Sequence, residues 1–581
     1  MQSLPNWMRN YQRSWLSGDL VAGVIVTVML IPQSLAYALL AGLPPEVGLY
    51  ASILPILAYA LLGSSMTLAV GPVAVASLMT ASALQPLAAV GSAEYVGLAA
   101  LLSLLSGGML LLFGLLRLGF LAHFLSHPVI SGFISGSAVL IAVGQFKHLM
   151  GVNAGGGNVL DMLLHLERAA THTNSATLGI GVGSVLFLLL ARKFLAPWLV
   201  RAGVDGKLAD LASKLAPMLA VLVTTALVAV LRWDEYAGVS IVGAVPQGLP
   251  MLAFPPIAAS AIGQLWLPAL LISLVGFIES VSVAQSLALK RQQRIQPNRE
   301  LLGLGAANVA SALSGGFPVT GGFARSVVNF SAGANTPLAG VVSAVLMAVV
   351  IAALTGLFYY LPHAVLAATI IVAVVSLIDV QTLRDAWHYD KADAWSLLAT
   401  AGGVIVWGVE VGILMGVGLS LGTLVWRSSH PHIAVVGRVP GTEHFRNIAR
   451  HPVATEPDLI AVRVDESLYF ANSEVLQDTV ESLVAAQPRT RHVLLVCSAI
   501  NQIDATALGV LTDLESSLAR RGIELLLSEV KGPVLDRLQK TSLGQNLRGR
   551  VFLSTHQAFE SVRQNTPAPM IGSEKQVAPL I

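Results

Sequence analysis

The sequence predicts an all-α polytopic membrane protein followed by a small cytoplasmic α/β domain, and three observations carry that prediction. The first is composition: 55% of the 581 residues are hydrophobic and 11% charged, with a mean hydropathy of +0.72. Soluble domains carry about 25% charged residues, so most of this chain belongs in lipid. The second is a pair of Gly/Pro-interrupted apolar segments in corresponding halves of the hydrophobic region: SMTLAVGPVAVASLMTASAL at 65–84 and GGFPVTGGFARSVVNFSAGANTPLA at 315–339. The third is a change of character after Arg427, where polar, loop-rich sequence leads into short β-like runs.

Residues 1–17 contain Trp7, Arg9, Arg13 and Trp15 and read as an interfacial, cytoplasmic lead-in. No cleavable signal is evident, so the first span is expected to act as its own insertion signal. A spanning helix needs about 20 apolar residues. Apolar runs fall near 18–40, 46–63, 95–118, 126–148, 175–195, 209–231, 266–289, 299–314, 338–357, 361–378, 394–409 and 411–427. With the broken segments 69–84 and 320–333 they make fourteen, which divides into seven and seven as an inverted repeat requires. A Pro/Gly-rich connection, 232–265, closes the first half, and the whole transport region covers 18–430.

Charge sets the orientation. With the N-terminus inside, the cytoplasmic loops hold Arg192, Lys193, Arg201, Lys207, Lys214, Lys290, Arg291, Arg294, Arg299, Arg384 and Lys391, whereas the outer loops hold little beyond Arg168 and Arg232. That asymmetry follows the positive-inside rule and places both termini in the cytoplasm of a cell with the protein in its inner membrane. Beyond it, strand-like LIAVRVD (459–465), HVLLVCSA (492–499) and GIELLLSEV (522–530) alternate with helical patterns at 473–487 and 505–521. Alternation of that kind argues one α/β domain over 431–565. The Pro/Ser-rich tail, 566–581, is expected to be disordered. A single cysteine, Cys497, excludes an internal disulfide and sits in an apolar strand, either as a small core residue or as a reactive thiol.

The chemistry concentrates in the broken segments. Pro72 follows Gly71, and Pro318 follows Gly315 and Gly316, so each segment enters as extended chain and becomes helix partway across. Each new helix start leaves free backbone N–H groups and about half a positive charge. Two of them facing each other would bind an anion without a full counter-charge. Arg325 adds a whole charge within the second half-helix, with no acidic residue beside it. An intramembrane ionisable residue is a functional-site hypothesis, although the glycines taken alone also fit tight helix packing. In the first span Pro32, Gln33, Ser34 and Tyr37 interrupt an aliphatic helix. Gln33 and Tyr37 are four apart and share a face, fit either for the site or for an interhelical hydrogen bond. Glu279, in the repeat mate of the first span, is costly at membrane depth unless paired or protonated. It can take up a proton, hold sodium, or pair structurally with Arg325 or a serine. No metal-spaced cluster, Ser-His-Asp order or phosphate loop stands out, so neither an enzyme nor a cofactor is expected. A net charge of +2 without a basic, aromatic-rich face gives no support to nucleic acid.

PQSLAYALLAGLPPEVGLYAS (32–52), VGPVAVASLM (70–79) and PVTGGFARSVVN with TPLAG (318–340) resemble the sulfate permease family of anion transporters in order and spacing. The resemblance covers nearly the whole chain. It implies fourteen segments in two inverted repeats, divided into core and gate domains. It implies an anion site between the third and tenth half-helices, involving Gln33, Tyr37, Val73, Ala74, Ala324 and Arg325. Ala324 stands where many relatives have serine and Val73 where some have an aromatic, which makes the pocket less polar or wider and weakens a guess of sulfate. QIDATALGVL (502–511) resembles a STAS domain, in which Thr506 stands at the position phosphorylated in anti-sigma-factor antagonists. Helix capping by Asp504 or Thr506 is the simpler account of these residues. The resemblance also implies a homodimer. The expected function is secondary transport of sulfate, bicarbonate or a small dicarboxylate by alternating access, with Glu279 coupling it to protons or sodium. An uncoupled exchanger or channel, or an anion sensor signalling through the C-terminal domain, are the alternatives.

Overall fold

The structure, a computed structural model, describes residues 5–123, 126–154, 156 and 158–565; the tail expected to be disordered lies outside them. Helices answer all fourteen expected segments. In chain order they are α1 (Leu16–Leu40), α2 (Pro45–Leu62, broken around 51–53), α3 (Ala74–Leu84), α4 (Ala93–Leu115), α5 (His127–Met150), α6 (Ser175–Leu190) and α7 (Ala216–Leu231). The second half holds α8 (Ala259–Lys290), α9 (Pro297–Leu313), α10 (Phe323–Ser331), α11 (Leu338–Ala353), α12 (His363–Val375), α13 (Lys391–Trp407) and α14 (Val409–Ser429). Among the described residues, eight helical stretches are long and apolar enough to cross a membrane, and 74–84, 216–231 and 338–353 are shorter apolar helices.

The helices pack as two groups. α4 lies along α9, α2 against α9, and α11 against α1, with α8 touching α3, α4 and α10. α5 lies along α13 and α12, α6 against α12, and α14 against α5 and α13 at Gly416. α1 reaches across to α7 and α12. Small residues bring backbones together, as in other membrane bundles. A Cβ on Gly107 of α4 would stand 2.9 Å from the Gly305 carbonyl of α9, and one on Gly305 3.0 Å from the Gly107 carbonyl.

Boundaries differ from expectation where proline starts a helix. The sixth segment runs on through a π-helical turn, Ala191–Leu195, to Arg201, and the seventh begins at Ala216 rather than 209. Pro217 occupies the first turn of α7, where the missing N–H costs nothing, whereas Pro197 follows directly on the π-helical turn within a continuous helix. The residues before α7 form a separate amphipathic helix, Gly206–Lys214. Two more amphipathic helices, Val159–Ala169 and Val380–Tyr389, lie in connections that the apolar pattern left blank.

The chain divides into compact units at 1–420 and 421–581, the division falling inside α14. In the second unit the strands are β3 (Ile433–Arg438), β4 (Phe445–Asn447), β5 (Leu459–Val464), β6 (His492–Val496), β7 (Glu524–Ser528) and β8 (Val551–Phe552), counting from the β1 and β2 given below. Their order is β4-β3-β5-β6-β7-β8, antiparallel to β5 and parallel from there on. Alternate residues serve opposite faces. Val462, Leu495 and Leu527 meet helices α15 (Ser473–Ala486) and α16 (Ala505–Arg520), while Leu459, Leu494 and Leu526 meet Phe559 of the last helix, Thr555–Asn565.

Candidate functional site

Just ahead of each half-helix the chain is extended. β1 (Val70–Gly71) and β2 (Thr320–Gly321) pair antiparallel, Val70 opposite Gly321 and Gly71 opposite Thr320. This crossing brings the starts of α3 and α10 together. Side chains of α10 and α8 fasten it. Ser326 Oγ accepts the Ala69 N–H at 2.9 Å, and Asn329 Nδ2 donates to the Thr67 carbonyl at 3.0 Å. The Gly321 N–H donates to Ser280 Oγ of α8 at 2.9 Å, and Ser280 Oγ lies 2.7 Å from Thr320 Oγ1. Neither half-helix has a side-chain cap: Val73 and Gly322 hold the N-cap positions. Their first N–H groups are therefore left to whatever occupies the crossing.

Arg325 lies in the first turn of α10 and is 3% exposed. None of its three guanidinium nitrogens has a hydrogen-bond partner among the described residues. Leaving a buried guanidinium unpaired costs several kcal/mol, and five N–H donors remain to be used. Glu279 and Tyr37 are its electrostatic neighbours. Two glycines let it sit here: a Cβ on Gly71 would come 3.2 Å from Nη1 and one on Gly322 3.0 Å from Nη2.

The candidate residues divide between two spaces. A cavity of about 370 Å³ between α1, α10, α7 and α12 is lined by Gln33, Tyr37 and Ala324. Its far wall includes Arg192 of the π-helical turn and Asp210 and Ser213 of the helix before α7. Arg325 instead borders a space of about 20 Å³ with Val70 and Asn329, because consecutive helical residues point about 100° apart. Val73 and Ala74 are buried, 7% and 6% exposed, and line neither space. Glu279 is half-buried on α8, with no hydrogen bond to Arg325 or to a serine, and it too lines neither. Ser280 is turned to the crossing and Ser282 outward.

Sequence reasoning missed two buried carboxylates. Asp19, 0% exposed, accepts the Asn335 N–H at 2.6 Å, the Thr336 N–H at 3.0 Å and the Thr336 hydroxyl at 2.7 Å. Glu300, also 0% exposed, accepts from Tyr59 Oη at 2.7 Å, the Ser64 N–H at 2.8 Å and the Ser65 N–H at 2.9 Å. Each pins the start of one long helix to the loop beside a half-helix. The missed wall residues had one signal, Arg192 beside Lys193 after an apolar run.

In the second unit Asp504, not Thr506, caps α16: its carboxylate accepts the Ala507 N–H at 2.8 Å, which holds it below the ordinary carboxyl range. Thr506 is exposed. Cys497 is 4% exposed, and burial, with Glu529 nearby, pushes its thiol up to about 12. Among the described residues no group of three or more His, Cys, Asp or Glu is placed to hold a metal.

A family model described as the sulfate permease family matches residues 16–400, and a STAS domain model matches 451–558. The chain belongs to the sulfate permease family. It is a multi-pass membrane protein, an anion transporter of that family rather than an enzyme. The permease is 36% identical over 538 residues to sulfate transporter 4.1, chloroplastic, of Arabidopsis thaliana, covering 90% of this chain and 76% of the relative. A murine solute carrier 26 member A9 anion transporter in the inward-facing state superposes with a TM-score of 0.89 at 22% identity, over 97% of this chain and 94% of that one. The transmembrane domain of a cyanobacterial bicarbonate transporter gives a TM-score of 0.60 at 24% identity, over 70% of this permease and 98% of that domain.

Proposed function

We propose that the permease is a secondary active transporter of sulfate or bicarbonate, with small dicarboxylates as the wider class, working by alternating access. The observation that carries this reading is the joined pair of uncapped half-helix starts backed by the buried, unpartnered Arg325. The anion lies at the N–H groups of α3 and α10, with Gln33 and Tyr37 on its cavity side. Val73, Ala74 and Ala324 shape the pocket at the two helix starts. Arg325 works mainly through its charge from behind α10, because its guanidinium borders a different space from Gln33 and Tyr37. The relative named for sulfate and the fold neighbour named for bicarbonate support these two anions as the first to test. Both termini belong to the cytoplasm of a cell with the protein in its inner membrane, on the loop charges. A homodimer and the domain limits 18–430 and 431–565 complete the reading.

Glu279 is the coupling residue in this proposal, taking up a proton, or holding sodium, beside the site. An uncoupled exchanger is the second reading, and one observation favours it: Glu279 lines neither space at the half-helices. Uptake of sulfate, bicarbonate and fumarate into proteoliposomes under an imposed inward pH gradient separates the two. Gradient-driven accumulation that Glu279→Gln abolishes supports proton symport. Uptake indifferent to both gradient and substitution leaves exchange.

A further inference from the structure

A second cavity, of about 120 Å³, lies between α1, α3 and α5 and is covered by the amphipathic helix Val159–Ala169 through Met162 and Leu166. Its polar lining is Ser82 of α3, Gln85 just past its end, and Gln145, Lys147 and His148 of α5, with no acidic residue among the described ones. Gln145 is 4% exposed and stands in the cavity wall. An amide in a cavity wall offers a donor and an acceptor to whatever enters. Lys147 takes part in no ion pair with a described residue.

The cavity adjoins the half-helix crossing along α1 and α3. α1 presents Tyr37 to the large cavity and Leu39 and Leu40 to this one. Leu78, one turn beyond Ala74 at the start of α3, lines it, so it begins roughly 6 Å along the helix from the half-helix crossing. α1, α3 and α5 all end here, whereas the large cavity lies by the end of α6 and the start of α7, which places the two on opposite faces. Three converging helix C-termini carry partial negative charge. Lys147 and His148, in the last turn of α5, are the groups that offset it.

We infer that this cavity is a second anion station, on the face opposite the large cavity, where the Gln145 amide and Lys147 ammonium receive a small oxyanion on its way to or from the half-helix crossing. The inference rests on the transport reading above. Its test is uptake of sulfate and bicarbonate into vesicles of known protein orientation, with the anion offered to either face. Lys147→Gln and Gln145→Leu raise KM for anion offered at the 151–174 face, Lys147→Gln by roughly tenfold or more, the size of a lost charge-assisted hydrogen bond. KM at the other face and kcat stay put, and Lys147→Arg restores the wild-type value. Equal shifts at both faces, or none, overturn the inference. Titration of solubilised protein with the same two anions tests it apart from transport. Loss of one of two binding events in Lys147→Gln, with the other removed by Arg325→Gln, supports the station; an unchanged isotherm overturns it. Wild-type vesicles that take up neither anion while both binding events persist count against the transport reading and not against the station.

Discussion

Arg325 gathers the strictest demands in the molecule. Its charge is buried, its donors are unused, and two glycine backbones stand against its guanidinium. Arg325→Gln is expected to lower anion uptake by at least about tenfold, the scale of one charge-assisted interaction. Rates equal to wild type would remove the arginine from the site. Gly322→Ala places a methyl 3.0 Å from Nη2 and is expected to cut uptake severalfold while the protein still purifies folded; an unaffected rate would show that the guanidinium can move aside. The charge was legible in the sequence because a lone arginine inside an apolar run has few structural excuses. Its direction was not, since a nine-residue helix entered through glycines fixes its rotational phase by packing rather than by pattern. Cys497 was legible from its apolar strand alone. With its thiol at about 12, essentially no thiolate exists at neutral pH, so alkylation of the native protein at pH 7.5 should be negligible and should appear only on unfolding.

Among the elements, the fourteen spans and both breaks could be read because hydropathy and Gly/Pro punctuation are local signals. The amphipathic helix Val159–Ala169 escaped because four of its eleven residues are charged or histidine and its apolar stripe is only three turns long. Asp19 and Glu300 escaped for a different reason: the backbone donors they accept from lie more than two hundred residues away in the chain. Asp19→Ala strands two backbone donors and one hydroxyl, each worth about 1–3 kcal/mol when buried. The melting temperature of the purified protein is expected to fall by several degrees, with Asp19→Asn intermediate. A melting curve unchanged in Asp19→Ala would show that water reaches these donors.

As a whole, the molecule joins a lipid-embedded unit to one whose sheet closes its own core on both faces. Residues 431–565 produced alone should be soluble and melt in one cooperative transition; a broad, gradual loss of structure would mean that this core is not self-sufficient. Chain cut after His430 that still takes up anion would count against a purely sensory role. The change of character after Arg427 is a matter of composition, whereas the large cavity needed helices brought together from both halves of the sequence. The β1–β2 crossing has a consequence for how motion would be recorded. The Gly321, Gly322 and Ala69 amide protons are each held by a partner drawn from another segment, Ser280, Ala69 and Ser326 in turn. Deuterium should therefore enter at Gly322 and Ala69 only when the two half-helices part, and at Gly321 only when the crossing leaves α8. A transporter that carries its site as one piece would keep those three protons through many cycles of turnover, while amides along the cavity walls are rewetted each time the path opens.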